Sequence, residues 1–292
     1  MARHAVIMTF PASKFDEYGF CIKGFRKYWS KDIQGFVIAE DAHRLKGYQA
    51  ENLQIFDFDQ ILSKKINDFK YRNREKNISD LSNRSDITRQ AEKFARKAYA
   101  QMYVLQNCDA DYLHYIDADL MTLKPITSSF LDQLVSTNAF TVACTPRWWM
   151  RGGEPTKALM ENNLHSGYTE TGYMIWNKRS PHLQKWIDYY SECYDDDKIF
   201  EFVEWHDCIA FDYATLSIIK KFDAKILDLS FGCRSHHPLV VGPLGAYFDH
   251  MKGDRKLIGK SYERLISHGT LVQKLLFKSI KNFKYILRKL KT

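Results

Sequence analysis

Tyr112-Leu113-His114-Tyr115-Ile116-Asp117-Ala118-Asp119-Leu120-Met121-Thr122-Leu123-Lys124-Pro125-Ile126 is the run on which the fold turns. Tyr112 to Ile116 are apolar, aromatic or β-branched, which suits a strand covered on both faces. That strand delivers Asp117-Ala118-Asp119 to its carboxyl end, where open α/β sheets bind their ligands. Two carboxylates separated by one small residue can share a hard divalent cation, directly or through water, and still leave room for substrate phosphates. A short Asp-x-Asp is also a common solvated turn, so the metal reading depends on a third ligand elsewhere in the chain.

Upstream, His4 to Phe10 reads as a central first strand stopped by Pro11. Phe15, Tyr18, Cys21, Ile22, Phe25, Tyr28 and Trp29 then recur at helical spacing over 14–29. Gly35 to Ala39 forms a second strand ending at Glu40-Asp41, and Leu53 to Phe58 a third. Strand, helix, strand, strand is how a nucleotide-binding α/β half begins. Neither Gly-x-Gly-x-x-Gly nor Gly-x-x-x-x-Gly-Lys-Ser/Thr is present, so the sequence offers no dinucleotide fingerprint and no P-loop. Residues 61–86 are polar, with little apolar periodicity, and read as a mobile excursion or small insert, with a partly helical course as the variant. Thr88 to Gln106 carries Ala91, Phe94, Ala95, Ala98, Met102 and Leu105 on a helix. Its basic residues form a solvated face, unless Arg96 or Lys97 turns toward the acidic strand that follows.

Downstream, Ser128 to Ser136 reads as helix and Ala139 to Cys144 as strand. Trp148 and Trp149, between Arg147 and Arg151, offer flat apolar faces with polar edges, suited to a sugar or to a core plug. Glu170-Thr171-Gly172 leads into a strand over Tyr173 to Trp176, and Gly172 lets backbone pass close to a ligand. Residues 182–194 form an amphipathic helix. Asp195-Asp196-Asp197 is a capping turn. Glu204-Trp205-His206-Asp207-Cys208 opens an apolar helix, with Asp207 as its N-cap or as an acceptor-facing carboxylate.

With 292 residues, 45% of them hydrophobic, the chain has ample material for a large α/β core. Its six cysteines form no Cys-x-x-Cys pair, which argues against zinc ribbons and disulfide scaffolds and for reduced thiols in a cytosol. No apolar run reaches the roughly 18 residues of a membrane span. Seven of the net eight positive charges lie in 270–292, from Lys274 to Lys291, so the basic character belongs to a tail. The body gives no sign of nucleic-acid binding. Within that tail Val272, Leu276, Ile280, Phe283, Leu287 and Leu290 form a helical stripe opposite the lysines. Residues 269–292 are therefore expected as a basic amphipathic helix, folded on the body or lying on anionic lipid.

The second informative stretch is His250-Met251-Lys252-Gly253-Asp254-Arg255-Lys256. An imidazole can complete a carboxylate-rich manganese site, a glycine admits a diphosphate, and a lysine supplies a mobile charge for phosphate oxygens. Together, Asp117-Ala118-Asp119 and this His-x-x-Gly-x-x-Lys pattern resemble the nucleotide-sugar glycosyltransferases of the GT-A fold, in particular the glycogenin and lipooligosaccharide galactosyltransferase group. Thr171-Gly172 resembles that group's Asn-Ala-Gly strand, with Glu170 in the asparagine's place. His206-Asp207-Cys208 stands where the group carries Asp-Gln-Asp.

The resemblance implies a Rossmann-like, mostly parallel α/β sheet flanked by helices. The GT-A domain spans 1–268, followed by the basic helix at 269–292. Asp117, Asp119 and His250 would bind Mn²⁺ or Mg²⁺. Thr9, Asp41, Lys97, Asp117, Ala118, Gly253 and Lys256 would form the donor side for a nucleotide sugar, with a UDP-sugar favoured. Trp148, Trp149 and Trp205 would face a glycan or glycolipid acceptor, and Asp207, Glu170 or Glu204 would serve as base if inversion requires one. The expected location is cytoplasmic, with peripheral attachment to a membrane face as a variant. A sugar nucleotidyltransferase is the rival enzyme. It is disfavoured because Pro11-Ala12-Ser13-Lys14 lacks the glycine-rich loop such chemistry uses. A non-enzymatic basic-tail binding protein is the other alternative.

Overall fold

A computed structural model describes residues 2–76, 78, 90–135, 140–146, 169–231, 233, 237–251, 259 and 261–275. Its centre is a seven-stranded sheet containing β1 (His4–Pro11), β2 (Gln34–Glu40), β3 (Leu53–Asp57), β4 (Tyr112–Asp117), β6 (Phe140–Pro146), β7 (Thr169–Asn177) and β8 (Lys225–Asp228). The spatial order is β3-β2-β1-β4-β7-β6-β8, which puts β4 in the middle. The pairs from β3 to β4 are all parallel. β7 runs antiparallel to both neighbours, while β6 and β8 pair in parallel. Because β7 is reversed, its first residues lie at the edge where β1, β2 and β4 end. A separate two-stranded sheet joins β5 (Leu120–Thr122) to β9 (Phe248–His250).

Period-two alternation divides the strand residues between two cores. Ala5, Ile7, Leu113, Tyr115, Met174 and Trp176 pack on one side. There they meet α3 (Phe58–Arg72), α4 (Ala91–Asn107), α6 (Leu183–Asp195) and α7 (Asp207–Phe222). Val6, Met8, Ile116, Tyr173 and Ile175 pack on the other side with α2 (Phe20–Tyr28) and α5 (Ser128–Gln133).

Residues 61–86 are not, as a whole, a polar excursion. Their first part continues α3, which is capped by Asp57 accepting from the amides of Asp59 and Gln60. Phe58, Leu62, Ile66 and Phe69 are buried at helical steps, a narrow stripe among charged residues. The third strand accordingly stops at Asp57, one residue earlier than the apolar run suggests. Residues 271–275 are helical, with Leu271, Val272 and Leu275 exposed. The rest of the expected basic helix lies outside the described residues. Among the described residues no helix is long and apolar enough to cross a membrane.

A buried polar chain ties three strands together. The Tyr173 hydroxyl lies 3.0 Å from His114 Nδ1, His114 Nε2 lies 2.9 Å from His4 Nδ1, and His4 Nε2 lies 3.0 Å from Asp132 Oδ1. One proton assignment satisfies every member with both imidazoles neutral: Tyr173 donates to His114, His114 to His4, and His4 to Asp132. Burial pushes His114 well below the ordinary histidine range, consistent with that neutral form.

Candidate metal and nucleotide site

Asp117-Ala118-Asp119 and His250-Met251, the described start of the second motif stretch, meet at the carboxyl edge of the sheet. β4 ends at Asp117, and β5 begins immediately after Asp119. β9 pairs with β5 so that His250 lies opposite Leu120, and the Met251 amide donates to the Asp119 carbonyl at 2.9 Å. Backbone pairing thus brings His250 Nε2 to 3.0 Å from Asp119 Oδ1 and 3.6 Å from Asp117 Oδ2. One ligand atom from each of Asp117, Asp119 and His250 lies within 4.8 Å of the others. The imidazole is fully buried.

Tyr115 and Asp117 lie two residues apart on the strand, toward α4. The Tyr115 hydroxyl donates to Asp117 Oδ1 at 2.8 Å, and Lys97 Nζ donates to the same oxygen at 2.7 Å. Lys97 also lies 2.5 Å from Asp207 Oδ2, which accepts from the Thr171 hydroxyl at 2.7 Å. Burial works against charge on Lys97, but Asp117 and Asp207 outweigh it and hold the ammonium well above its usual range. Burial would likewise raise the Asp207 carboxyl. Lys97, then His206, together with hydrogen bonds from Lys97 and Thr171, hold it below the usual carboxylate range. Of the two basic residues expected to compete for this site, Lys97 reaches it. Arg96 instead pairs with Glu92, Glu40 and Asp59.

The other expected residues fall as follows. Thr9 is level with Asp117 across the β1–β4 pair, its hydroxyl 3.4 Å from that of Tyr115. Asp41 follows β2 at the same edge, exposed and with a left-handed φ of 54°. Ala118 is partly buried, and its carbonyl accepts from the Cys21 amide. Glu204 lies 2.8 Å from His206 Nε2, and the Cys208 amide donates to His206 Nδ1, so His206 and not Asp207 caps α7. Trp205 packs edge-on against Phe200 and donates to the Phe202 carbonyl. Glu170 is buried and turned toward His237 and His250. Trp148, Trp149, Gly253 and Lys256 lie outside the described residues.

Sequence reasoning missed Tyr115 and His237. Tyr115 carried a signal, its two-residue spacing from Asp117. His237 carried none beyond standing next to a second histidine.

The mostly parallel central sheet flanked by helices, with one reversed strand, is consistent with the expected GT-A fold. No family model and no curated protein sequence matches the chain. Among solved structures it is similar to the apo form of the bifunctional glycosyltransferase WbbM, at 13% identity and a TM-score of 0.46 over 79% of this chain and 39% of that one. It is similar to the apo form of mouse xyloside xylosyltransferase 1, at 10% identity and a TM-score of 0.45 over 79% and 86%. It is also similar to the galactosyltransferase LgtC in complex with donor and acceptor sugar analogues, at 13% identity and a TM-score of 0.42 over 72% and 69%. The chain therefore spans well under half of the first of these.

Proposed function

We propose that this chain moves a sugar from a nucleoside diphosphate donor, a UDP-sugar by preference, to a hydroxyl of a glycan or glycolipid with the help of a divalent cation. The reading is carried by the convergence of Asp117, Asp119 and His250 at the edge where β1, β2 and β4 end. Two carboxylates and one imidazole are a donor set that fits Mn²⁺, and the carboxylates alone also suit Mg²⁺. A cation held there supplies Lewis-acid stabilisation for the negative charge of a departing nucleoside diphosphate.

In this reading Asp119 and His250 bind the cation. Lys97 and Tyr115 occupy one oxygen of Asp117, leaving Oδ2 on the His250 side to join them. Thr9 and Asp41 line the donor edge, while Gly253 and Lys256 meet the diphosphate. Glu170 is buried against histidines and Asp207 is committed to Lys97. Glu204, 27% exposed, is the one of the three proposed bases with substantial access to solvent, and we assign it to the acceptor side.

Titration calorimetry with UDP tests the donor site. Binding heat is expected with Mn²⁺ present and little without it. A flat trace for both UDP and GDP, with Mn²⁺ present, would overturn the proposal.

Gly172 provides a second, sharper test. A Cβ placed there would stand 2.5 Å from His250 Cε1 and 2.9 Å from Nδ1, so the ring must move. Misplacing a catalytic group by about 1 Å costs on the order of 10²-fold in rate. Gly172→Ala is therefore expected to lower sugar transfer by about that factor. Wild-type turnover in this variant would show that His250 lies away from the chemistry.

A further inference from the structure

We infer that Glu170 and His237 are positioning residues for His250, forming a second layer behind the metal group that fixes which nitrogen of the imidazole faces the cation. The inference rests on the reading of His250 as a ligand. A histidine ligates through a nitrogen that carries no proton, so its other nitrogen must hold one. A carboxylate beside that second nitrogen selects the tautomer and orients the ring.

His250 has this arrangement. Nε2 faces Asp119 at 3.0 Å, and Nδ1, on the opposite side of the ring, lies 3.7 Å from Glu170 Oε1. That separation is longer than a hydrogen bond but places a carboxylate oxygen next to the nitrogen that must carry the proton once Nε2 binds a cation, in a buried setting. The Glu170 side chain is 3% exposed and held from two sides. Oε1 accepts from the Gly172 amide at 3.2 Å, and Oε2 lies 3.0 Å from His237 Nε2. His237 stacks edge-on against the His250 ring with centroids 5.0 Å apart. Its own Nδ1 accepts from the Leu239 amide at 3.3 Å, which puts the ring proton on Nε2, the nitrogen that stands beside the Glu170 carboxylate. Without a cation, Nε2 of His250 is the nitrogen that donates to Asp119; when a cation takes Nε2, the ring proton must move to Nδ1, where the Glu170 carboxylate faces it. Glu170 thus serves the cation site from behind, which explains why a carboxylate proposed as a base is buried.

The test is Mn²⁺ affinity of the full chain, read by electron paramagnetic resonance of free against bound Mn²⁺ in the presence of UDP, with thermal unfolding of the metal-free protein alongside. Glu170→Gln keeps the size but can turn an NH₂ toward Nδ1. It is expected to weaken Mn²⁺ binding by about 10–100-fold. His237→Gln is expected to do so more mildly, with metal-free unfolding temperatures near that of wild type. Glu170→Asp, which restores the charge, should recover part of the loss. Wild-type Mn²⁺ affinity in both Glu170→Gln and His237→Gln would overturn the inference. So would losses that track a matching drop in metal-free stability, since the residues would then be structural only. Failure of the wild-type protein itself to bind Mn²⁺ would instead remove the underlying functional reading.

Discussion

His250→Ala is expected to cut sugar transfer by about 10³-fold or more while the protein remains folded. The removed imidazole sits against Asp119 and Asp117, and its loss would leave a cation held by carboxylates alone. Removing one preorganised group that stabilises developing charge costs about 10²–10³ in rate, and here the loss includes occupancy by the cation itself. The fold should survive because β9 is held by backbone pairing to β5 and by Phe248 in the core. Asp119→Ala should behave alike, for its backbone carbonyl would still accept from Met251. The measurement is nucleotide release from a UDP-sugar, with circular dichroism to verify folding. Undiminished turnover of the wild-type protein in excess EDTA would refute the metal-assisted reading more directly than any variant.

The largest effect on stability is expected at Lys97. Its ammonium, 12% exposed, lies between the buried or half-buried carboxylates of Asp117 and Asp207. Lys97→Met removes the counter-charge and leaves both acids facing each other's environment. Breaking a buried pair in this way costs about 3–5 kcal/mol. The pH dependence gives the sign. In the wild-type protein Asp207 is depressed, so its contribution is present above the unfolded value near 3.9 and is lost as pH falls through the lower folded value. Lys97 is raised, so its contribution is complete below the unfolded value near 10.4 and fades as pH climbs through the folded one. Between those limits the wild-type contribution is flat. In Lys97→Met, burial without a partner raises Asp207, the folded state then binds protons more readily than the unfolded one, and stability should rise as pH falls from 7 toward 5. Chemical denaturation at pH 7 and pH 5 would measure this. A variant as stable as wild type at pH 7, or one that weakens on acidification as wild type does below pH 4, would contradict the proposed charge balance.

What the sequence revealed depends on how strongly local pattern and burial coincide. The β4 run was legible because it is apolar on both faces, and Asp-x-Asp followed from its position at the end of that run. The pairing of His250 with those aspartates was legible only through the motif resemblance, since no local pattern predicts which distant strand joins β5. The α3 helix was only faintly legible, as a partly helical course within 61–86, because charged residues outnumber the buried set of Phe58, Leu62, Ile66 and Phe69. Lys97 was one of several lysines and arginines on α4, and only tertiary packing singles it out from Arg96. Glu170 was one of three carboxylates available as a base, and its burial against His237 comes from a segment more than sixty residues later, which no local pattern shows.

The β5–β9 pair has a consequence for how the site is loaded. His250 and Asp119 are 131 residues apart in the chain, yet their meeting is secured by main-chain hydrogen bonds. The entropy of closing so long a loop is therefore charged to folding, and an arriving cation need not gather its ligands from afar. Changes of length in the connections between the sheet strands and helices of residues 123–247 cost little loop entropy, so those connections can vary while the ligand spacing stays put.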